Sequence, residues 1–270
     1  IALFPEWNCD VPIYLANHHR GFMHEWLRYQ AFYLMEYWRM KHGEDMLGRV
    51  WRESESHEDP ITAYKRIAGL SQDQFNAEVW ESACHDITWD YPLGGYLRRI
   101  VDRQSEADRQ TWYTHKTRLI AENGYYRSYP DTVTADHGTE QNIAFTPHDY
   151  GYNAFQLSVP EGGTTVTAEF EGITGDSRYR TVGDSKAGWR FGFVGVQGSW
   201  TPVYGDMGEA TGTAPQASVS FTVPGGGLKQ LWFVVSGAPT RHEPHVWDDD
   251  VGNDEEYPYR VKFVNTEVKN

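Results

Sequence analysis

The spacing of apolar residues changes near residue 117 of this 270-residue chain. Before that position, apolar side chains recur at helical spacing or cover more than one face of a segment, which predicts four or five helices. After it, apolar and polar residues alternate in short segments bounded by Gly, Pro and Asp, which predicts antiparallel strands. We therefore predict an α+β protein, with a helical subdomain over residues 1–116 and an antiparallel β-sandwich or jelly roll over residues 117–270.

Local signals place the helices more closely. Residues 21–42 contain no Pro and no internal Gly, so we predict one mostly buried helix there. Asp59 followed by Pro60 predicts an N-cap and the first turn of a helix. Ser71 and Gln74 have the spacing of a capping box, in which each side chain satisfies the other's backbone donor. The predicted helices cover about residues 21–42, 44–53, 60–69, 72–87 and 96–103.

Alternation with a period of two predicts the strands of the second half. Glycine, which favours turns over helix interiors, agrees with this division, because residues 1–116 hold only six of the 26 Gly. The predicted strands cover residues 153–159, 164–170, 189–196, 217–223, 228–235 and 257–264.

Charge and hydropathy exclude some classes of protein. The formal net charge is −14, and acidic residues outnumber basic ones in both halves, so no basic surface for nucleic acid or an anionic membrane is expected. No apolar run approaches the roughly 20 residues that a membrane span requires. The chain starts at Ile1 without signal-peptide features, and we interpret it as a processed product or a fragment.

Composition suggests an extracellular protein. The chain is rich in Trp, Tyr, Asn and Gly and poor in Lys, as many secreted proteins are. Its two cysteines, Cys9 and Cys84, leave two alternatives open. They could form a long-range disulfide, which suits a secreted protein, or remain buried free thiols, which suit any compartment.

Side chains that can bind a metal or act as acids and bases are most concentrated in residues 17–28. His24 and Glu25 begin like the H-E-x-x-H zinc helix, in which two His bind the metal and the Glu acts as base, but Arg28 stands where the second His is needed. His18 and His19 could join His24 around a metal, with Glu25 as the base. Alternatively, these side chains line a cleft wall or form hydrogen bonds at the start of a helix.

Two other His-Glu pairs have less to support them. His57 and Glu58 lie in a charged loop, and Pro244 between Glu243 and His245 rules out a zinc helix. The chain also lacks the G-x-S-x-G, Walker and dinucleotide-binding motifs.

Three further patterns each allow a functional and a structural interpretation. Glu81 and His85 share a helix face, so they could ligate a metal or form an ordinary surface pair. The segment from Asp248 to Glu256 holds seven oxygen-bearing side chains, which suits Ca²⁺ or a solvated acidic turn. Aromatic side chains could form a sugar-stacking platform or belong to the core; they are Tyr150, Tyr152, Trp189, Trp200 and Trp247.

Short stretches along nearly the whole chain carry a family likeness. They are GEDML at 43–47, VWRES at 50–54, DPITAY at 59–64, WDYP at 89–92, YGYN at 150–153, LWFVVSGAP at 231–239 and YPYRVK at 257–262. Together they resemble a family of secreted microbial proteins that includes the Svx-type virulence proteins of plant-associated bacteria and a large uncharacterised domain family around them.

The resemblance implies a gluzincin-type metallopeptidase. Such a protein has an H-E-x-x-H helix, a downstream Glu ligand on a second helix, then a helical subdomain and a β-sandwich. Both zinc helices would precede the region that this chain resembles, so no zinc ligand of the family is carried onto a position here. Ile1 would then mark a cut inside the peptidase domain, or this lineage has lost the site.

The sequence thus predicts the C-terminal portion of a secreted zinc-metallopeptidase-like protein, formed by the helical wall of a substrate cleft and a β-sandwich. The intact parent would cleave extracellular proteins or glycoproteins with zinc-activated water and a Glu base. This chain alone is not expected to hydrolyse peptides. The alternatives are an extracellular glycan- or protein-binding module that uses Trp200 and Trp247, and an intact enzyme that uses His18, His19 and His24.

Overall fold

The computed structural model describes residues 11–27, 32–95, 115, 117–131, 144–248 and 250–269. Within these ranges helices come first and strands follow, which confirms the predicted α+β class. The helices are α1 (Val11–Asn17), α2 (Phe32–His42), α3 (Met46–Glu53), α4 (Pro60–Ala68) and α5 (Gln72–Asp86), with 3₁₀ turns at Glu25–Leu27 and Val251–Asn253. The strands are β1 (Leu119–Glu122), β2 (Tyr125–Ser128), β3 (Tyr152–Leu157), β4 (Thr165–Gly172), β5 (Gly188–Gln197), β6 (Thr201–Tyr204), β7 (Gly208–Thr211), β8 (Gln216–Thr222), β9 (Gln230–Gly237) and β10 (Tyr259–Val264).

The strands form two antiparallel sheets that face each other. The first sheet has the order β1-β2-β10-β4-β8, and the second has the order β3-β9-β5-β6, with β7 also paired to β5. Aromatic side chains fill the space between the sheets, where the rings of Phe170 and Phe191 stack at 4.0 Å. Apolar contact of this kind between two sheets defines a β-sandwich.

The helices cover the other face of the second sheet, so the molecule has three layers. On β5, Phe191 and Phe193 point into the sandwich core, whereas Val194 and Val196 belong to the core beneath the helices. Trp80 of α5 donates its indole N–H to the carbonyl of Val234 at 3.2 Å. Because β5 is buried on both faces, its residues from Gly188 to Val196 are apolar or Gly with the exception of Arg190.

Local capping signals act as predicted. Asp59 accepts the backbone N–H of Thr62 at 2.7 Å and begins α4. Ser71 and Gln74 form the reciprocal capping box of α5, with bonds of 3.2 Å and 2.8 Å. These bonds satisfy backbone donors that the first turn of a helix leaves free.

The continuous helix predicted over residues 21–42 is wrong at its start. The backbone N–H of His24 bonds the carbonyl of Gly21 at 3.0 Å, and that of Leu27 bonds the carbonyl of His24 at 2.9 Å. These are turn and 3₁₀ bonds, and α2 begins only at Phe32. Close tertiary packing of this turn, described below, overrides its helical pattern. The helix predicted over residues 96–103 lies outside the described residues.

Four strands were not predicted from the alternation of apolar residues. They are β1, β2, β6 and β7, each only four residues long. A segment of that length gives too few alternations to be distinguished from a loop. Cys84 is buried with a free thiol, and Cys9 lies outside the described residues. No helix in the described ranges is long and apolar enough to cross a membrane.

A candidate metal centre at the junction of the helices and the sandwich

The turn after α1 packs tightly against the loop that precedes β3. The backbone N–H of His148 bonds the carbonyl of His19, and that of Tyr152 bonds the carbonyl of His18, each at 2.8 Å. Two glycines allow this approach, since a Cβ on Gly21 would lie 2.1 Å from the carbonyl oxygen of Asp149. A Cβ on Gly151 would lie 1.9 Å from the carbonyl oxygen of His19. The side chains of residues 18–25 are therefore held against the sandwich loops.

Five separate segments contribute to one buried polar group at this junction, which we call the histidine–carboxylate cluster. The first segment is the turn after α1, the second follows the end of β2, and the third is the loop before β3. The fourth is the loop around residue 180, and the fifth is the loop between β9 and β10, over residues 245–256. Apart from His245 and Arg180, all members are buried. The members are His19, His24, His148, His245, Glu25, Asp131, Asp254, Glu256, Arg20 and Arg180.

Two triads within the cluster have their potential ligand atoms within 4.8 Å of one another. In the first, His24 Nε2 lies 3.2 Å and His148 Nδ1 lies 3.8 Å from Asp254 Oδ2. In the second, the same His148 is 3.3 Å through Nε2 from Asp131, which also lies 3.7 Å from His19 Nε2. Ligand atoms around a tetrahedral ion with bonds of about 2.0–2.1 Å lie about 3.3 Å apart, so the first triad fits with small side-chain movements.

Glu25 and His245 lie at the edge of the first triad. His245 Nε2 is 2.9 Å from Glu25 Oε2 and 3.9 Å from Asp254 Oδ1. Glu25 Oε2 is also 3.9 Å from His24 Nδ1. Glu25 therefore contacts the triad from outside, in the position of a carboxylate that orients its imidazoles.

Two arginines share the cluster with the carboxylates. Arg20 donates through Nη1 to His24 Nε2 at 2.8 Å, and its Nη2 lies 3.7 Å from Asp131. Arg180 Nη2 lies 3.8 Å from the same carboxylate. Because Arg20 uses the nitrogen of His24 that faces Asp254, an ion bound by the first triad must displace this guanidinium.

The cluster has an excess of negative charge. With neutral imidazoles and ionised carboxylates, its described members hold four carboxylates and two guanidinium groups, an excess of two carboxylates (four minus two). Such an excess of buried carboxylates favours the binding of cations or protons. The charged members are Arg20 and Arg180 on one side and Glu25, Asp131, Asp254 and Glu256 on the other.

Burial and local contacts set the protonation states. Burial lowers the pKa of His24 to about 4 and that of His19 well below the ordinary value. Burial would raise the pKa of Asp254, but its close contacts with His24 and His148 outweigh this and lower it. The pKa of Asp131 is likewise lowered, because contacts with His148 and His19 outweigh burial. Neutral imidazoles and ionised carboxylates are the forms that bind metals.

Several buried nitrogens of the cluster make no hydrogen bond within the described part of the chain. Among them are both ring nitrogens of His19 and Nε2 of His148. Leaving a buried polar group without a partner costs about 1–3 kcal/mol. These nitrogens face the second triad, where an ion held by His19, His148 and Asp131 would satisfy one nitrogen of each ring, so the residues present fit a metal by ligand chemistry.

The structure separates His18 from the other predicted ligands. Its Nδ1 lies 2.8 Å from the carbonyl of Leu15, and its Nε2 lies 3.1 Å from the hydroxyl of Thr117. Burial lowers its pKa to about 3, so the ring is neutral. It supports the fold on the side of the turn away from the cluster, whereas His19, His24 and Glu25 all enter the cluster.

The acidic segment predicted as a possible calcium site divides into two parts with different contacts. Asp248 accepts the backbone N–H of Asp250 at 2.8 Å and the amide of Asn253 at 3.0 Å, as in a self-contained turn. Asp254 and Glu256 instead point into the cluster. Asp249 lies outside the described residues. Calcium binding by this segment stays a prediction.

The remaining candidates do not assemble with the cluster. Glu81 bonds Tyr37 and Lys41, while His85 Nδ1 lies 2.7 Å from the carbonyl of Asp90. Trp247 is 64 % exposed in the loop after β9, and Trp200 is half-buried between β5 and β6.

Sequence reasoning did not connect four potential ligands of the cluster with His19 and His24. They are His148, His245, Asp131 and Asp254, and each lies more than 100 residues from the turn that holds those two histidines. Asp254 was predicted only as a member of the acidic segment from Asp248 to Glu256. His245 belongs to a motif that was set aside because its Pro excludes a zinc helix, and it reaches Glu25 from a loop instead. One signal could have found His148 and Asp254: each lies shortly before a predicted strand, and loop ends converge at the edges of a sandwich.

Comparisons with known proteins identify the family. Residues 1–270 match the profile described as "Family of unknown function (DUF6055)", so the chain belongs to this family. The family description assigns no activity, and the zinc-metallopeptidase resemblance stays a prediction. No curated protein sequence matches the chain.

Two solved structures of carbohydrate-active enzymes show a weak likeness. One is a mutant of Xylanase10C from Cellvibrio japonicus in complex with xylopentaose, at 10 % identity over 57 % of this chain, with a TM-score of 0.25. The other is the family GH115 4-O-methyl-alpha-glucuronidase BtGH115A, with specificity for decorated arabinogalactans, at 10 % identity over 90 % of this chain, with a TM-score of 0.25. The chain spans 29 % of the length of each. At these TM-scores neither likeness carries an argument.

Proposed function

We propose that this member of the DUF6055 family is a non-proteolytic module of a secreted zinc-metallopeptidase-like protein, and that its histidine–carboxylate cluster binds a divalent metal ion, with zinc as the first candidate. One observation carries the metal binding: two imidazoles and a carboxylate converge in a buried site, with their potential ligand atoms within 4.8 Å of one another. The metallopeptidase-like class rests on the sequence resemblance alone.

His24, His148 and Asp254 are the proposed ligands. Zn²⁺ prefers imidazole nitrogen and carboxylate oxygen in small tetrahedral sets, and a divalent charge would balance the excess of carboxylates. Glu25 and His245 would orient the first triad from outside. Arg20 would leave His24 and remain beside Asp131, which lies 3.7 Å from its Nη2.

Burial favours a structural ion over a catalytic one. His24, His148 and Asp254 are exposed by only 1 %, 2 % and 5 %. A peptide carbonyl has no route to ligands buried this deeply, and closed sites of this kind serve folding. The ion would join the turn after α1, the loop before β3 and the loop before β10, so its binding free energy would contribute to folding.

The proposed module supports an activity that it does not perform. Its helices would form a wall of the substrate cleft, and extracellular proteins or glycoproteins would be the substrates of the complete protein. Zinc-activated water and a Glu base would supply the chemistry there. In this chain Glu25 is hydrogen-bonded to His245 and helps to hold the cluster.

Metal binding is tested by calorimetric titration of zinc into chelator-treated protein. We expect about one ion per chain, and a loss of affinity of about 100-fold in each of the variants His24→Ala, His148→Ala and Asp254→Asn. His57→Ala is the matched control, because this side chain is 76 % exposed and outside the cluster. Absence of binding, or equal weakening by the control, would contradict the proposal.

A peptidase assay tests the second half of the proposal separately. Zinc-loaded protein is incubated with casein and with fluorogenic peptides, and no cleavage above the buffer rate is expected. Zinc-dependent cleavage that Glu25→Gln abolishes would show that the cluster is itself catalytic. That result would leave metal binding intact and overturn the structural role of the ion.

A further inference from the structure

We propose that the outer face of the first sheet binds a neutral oligosaccharide. A cleft of about 480 Å³ crosses this face, and a second cleft of about 300 Å³ adjoins it. Tyr125 lines both. We call the two together the outer cleft. It shares no residue with the histidine–carboxylate cluster, so this proposal does not rest on metal binding.

Strand register places the polar side chains of the outer cleft in one row. Arg127 of β2 is paired with Arg260 of β10, which is paired with Glu171 of β4, which is paired with Gln216 of β8. Directly paired residues of neighbouring strands point to the same face. Their chain neighbours, such as Phe170, point inward to the sandwich core. The row therefore runs across four strands on the outer face of the sheet, with Arg127 buried beside Tyr179 at one end.

Acidic and basic groups are matched along the larger of the two clefts. Arg260 Nη2 donates to both oxygens of Glu171 at 2.8 Å and 2.9 Å. Arg127 Nε donates to Glu122 at 3.3 Å. Arg178, at the end of the cleft, donates to Asp176 at 2.6 Å.

This pairing leaves three cations and three anions, and therefore no net charge among the described charged side chains that line the larger cleft. An anionic or cationic ligand gains nothing from such a surface, whereas a neutral ligand rich in hydroxyl groups does. Arginine and carboxylate groups hold several donors and acceptors in fixed planes, and each keeps some of them after its ion pair has formed. Vicinal sugar hydroxyls fit such planar pairs.

Tyr125 supplies the apolar surface that sugar rings also need. The guanidinium of Arg260 lies 4.8 Å from its ring centroid, so the ring is fixed at the boundary of the two clefts. A rigid aromatic ring provides contact area at low cost in conformational entropy. An oligosaccharide lying along the row would place one sugar on this ring and its neighbours over the arginine–carboxylate pairs.

The site differs from a platform built on the exposed tryptophans. Trp247 lies in the loop after β9, beside the exposed Val246, and neither lines the outer cleft. Trp51, which is 84 % exposed on α3, lies on the helical layer. These residues therefore serve as matched controls for the loss of an exposed aromatic side chain.

Affinity electrophoresis of the purified 270-residue chain tests the proposal. Native gels contain xyloglucan, arabinoxylan, galactomannan or mixed-linkage β-glucan, with polygalacturonate as the anionic comparison. We expect at least one neutral polysaccharide to retard the protein and polygalacturonate not to do so. Tyr125→Ala should weaken the retardation about tenfold, the loss of roughly 1.4 kcal/mol, whereas Tyr125→Phe, Trp247→Ala and Trp51→Ala should bind like the wild type.

Three outcomes would overturn the proposal. One is no retardation by any neutral polysaccharide. Another is retention of full affinity by Tyr125→Ala with an unchanged melting temperature. The third is loss of affinity in Trp247→Ala and not in Tyr125→Ala, which would move the site to the loop after β9. If Tyr125→Ala does not fold, Glu171→Gln serves as the second variant, with the same loss expected.

Discussion

His24 Nε2 lies 3.2 Å from Asp254 Oδ2, although 230 positions separate the two residues in the chain. This contact joins the turn after α1 to the loop before the last strand. Both side chains are buried, so the contact must compensate for the desolvation of an imidazole and a carboxylate. A long-range contact of this kind, closed by a bound ion, would make the docking of the N-terminal turn depend on metal.

Metal removal should therefore destabilise the protein. A ligand at 1,000 times its dissociation constant stabilises the folded state by about 4 kcal/mol. For a chain of this size, that corresponds to a melting temperature higher by roughly 10 °C in zinc than in EDTA. Differential scanning calorimetry measures the shift, and His24→Ala should abolish it. Equal melting temperatures in zinc and in EDTA would argue against a folding role for the ion.

Arg20 competes with the ion for His24. Its guanidinium occupies Nε2 of that ring at 2.8 Å, and two like charges in a buried site repel each other. Replacement by Met should raise the affinity for zinc by about tenfold, a gain of roughly 1.4 kcal/mol. Arg178→Met is the control, since this exposed side chain pairs with Asp176. Weaker zinc binding by Arg20→Met would show that Arg20 instead organises the cluster.

The close approach at Gly151 should be essential for docking of the turn. A methyl group there would lie 1.9 Å from the carbonyl oxygen of His19, a backbone atom that cannot rotate away. Gly151→Ala should lower the free energy of unfolding by about 3 kcal/mol, measured by urea denaturation. Gly226→Ala should change it little, because no atom lies within 4 Å of the added methyl group. Similar losses in both variants would contradict this explanation.

Short-range signals in the sequence were sufficient for much of the fold. The Asp59 N-cap and the Ser71 capping box depend on neighbours three residues away, and both form as predicted. The long strand β4 was recognisable because its eight residues alternate between buried and more exposed positions. Residues 21–27 were assigned incorrectly because their conformation is set by contacts with residues 148–151, which no local pattern encodes.

The candidate site was predictable only in part for the same reason. His19, His24 and Glu25 were found because they lie together in the sequence and resemble half of a zinc motif. Their partners come from loops at one edge of the sandwich, and only the sheet topology brings His148 and Asp254 to them. His18 shows the opposite case, since adjacency to His19 says nothing about direction, and its ring faces Thr117.

A second buried carboxylate should give the stability a distinct dependence on pH. Asp86 accepts hydrogen bonds from Tyr14, Tyr91 and Tyr152 at 2.7 Å, 2.6 Å and 3.0 Å. Burial nevertheless raises its pKa to about 7, since it outweighs these three bonds. The folded state thus holds a proton that the unfolded state releases above about pH 4.

The sign follows from linkage. The stability that protonated Asp86 contributes is complete below the unfolded pKa and is lost as the pH rises through the folded pKa. Relative to Asp86→Asn, the wild-type free energy of unfolding should fall between about pH 4 and pH 7, by a total on the order of 4 kcal/mol. Urea denaturation at several pH values measures the difference. A constant difference across this range would mean that Asp86 ionises normally in the folded protein.

Anomalous diffraction at the zinc absorption edge, from crystals of the protein grown with zinc, tests the central claim most directly. The account predicts a peak at about 2.0–2.2 Å from His24 Nε2, His148 Nδ1 and Asp254 Oδ2, with Arg20 displaced from His24. Absence of a peak among these three residues, with Arg20 still bonded to His24, would contradict it and leave the cluster as a network of buried ion pairs.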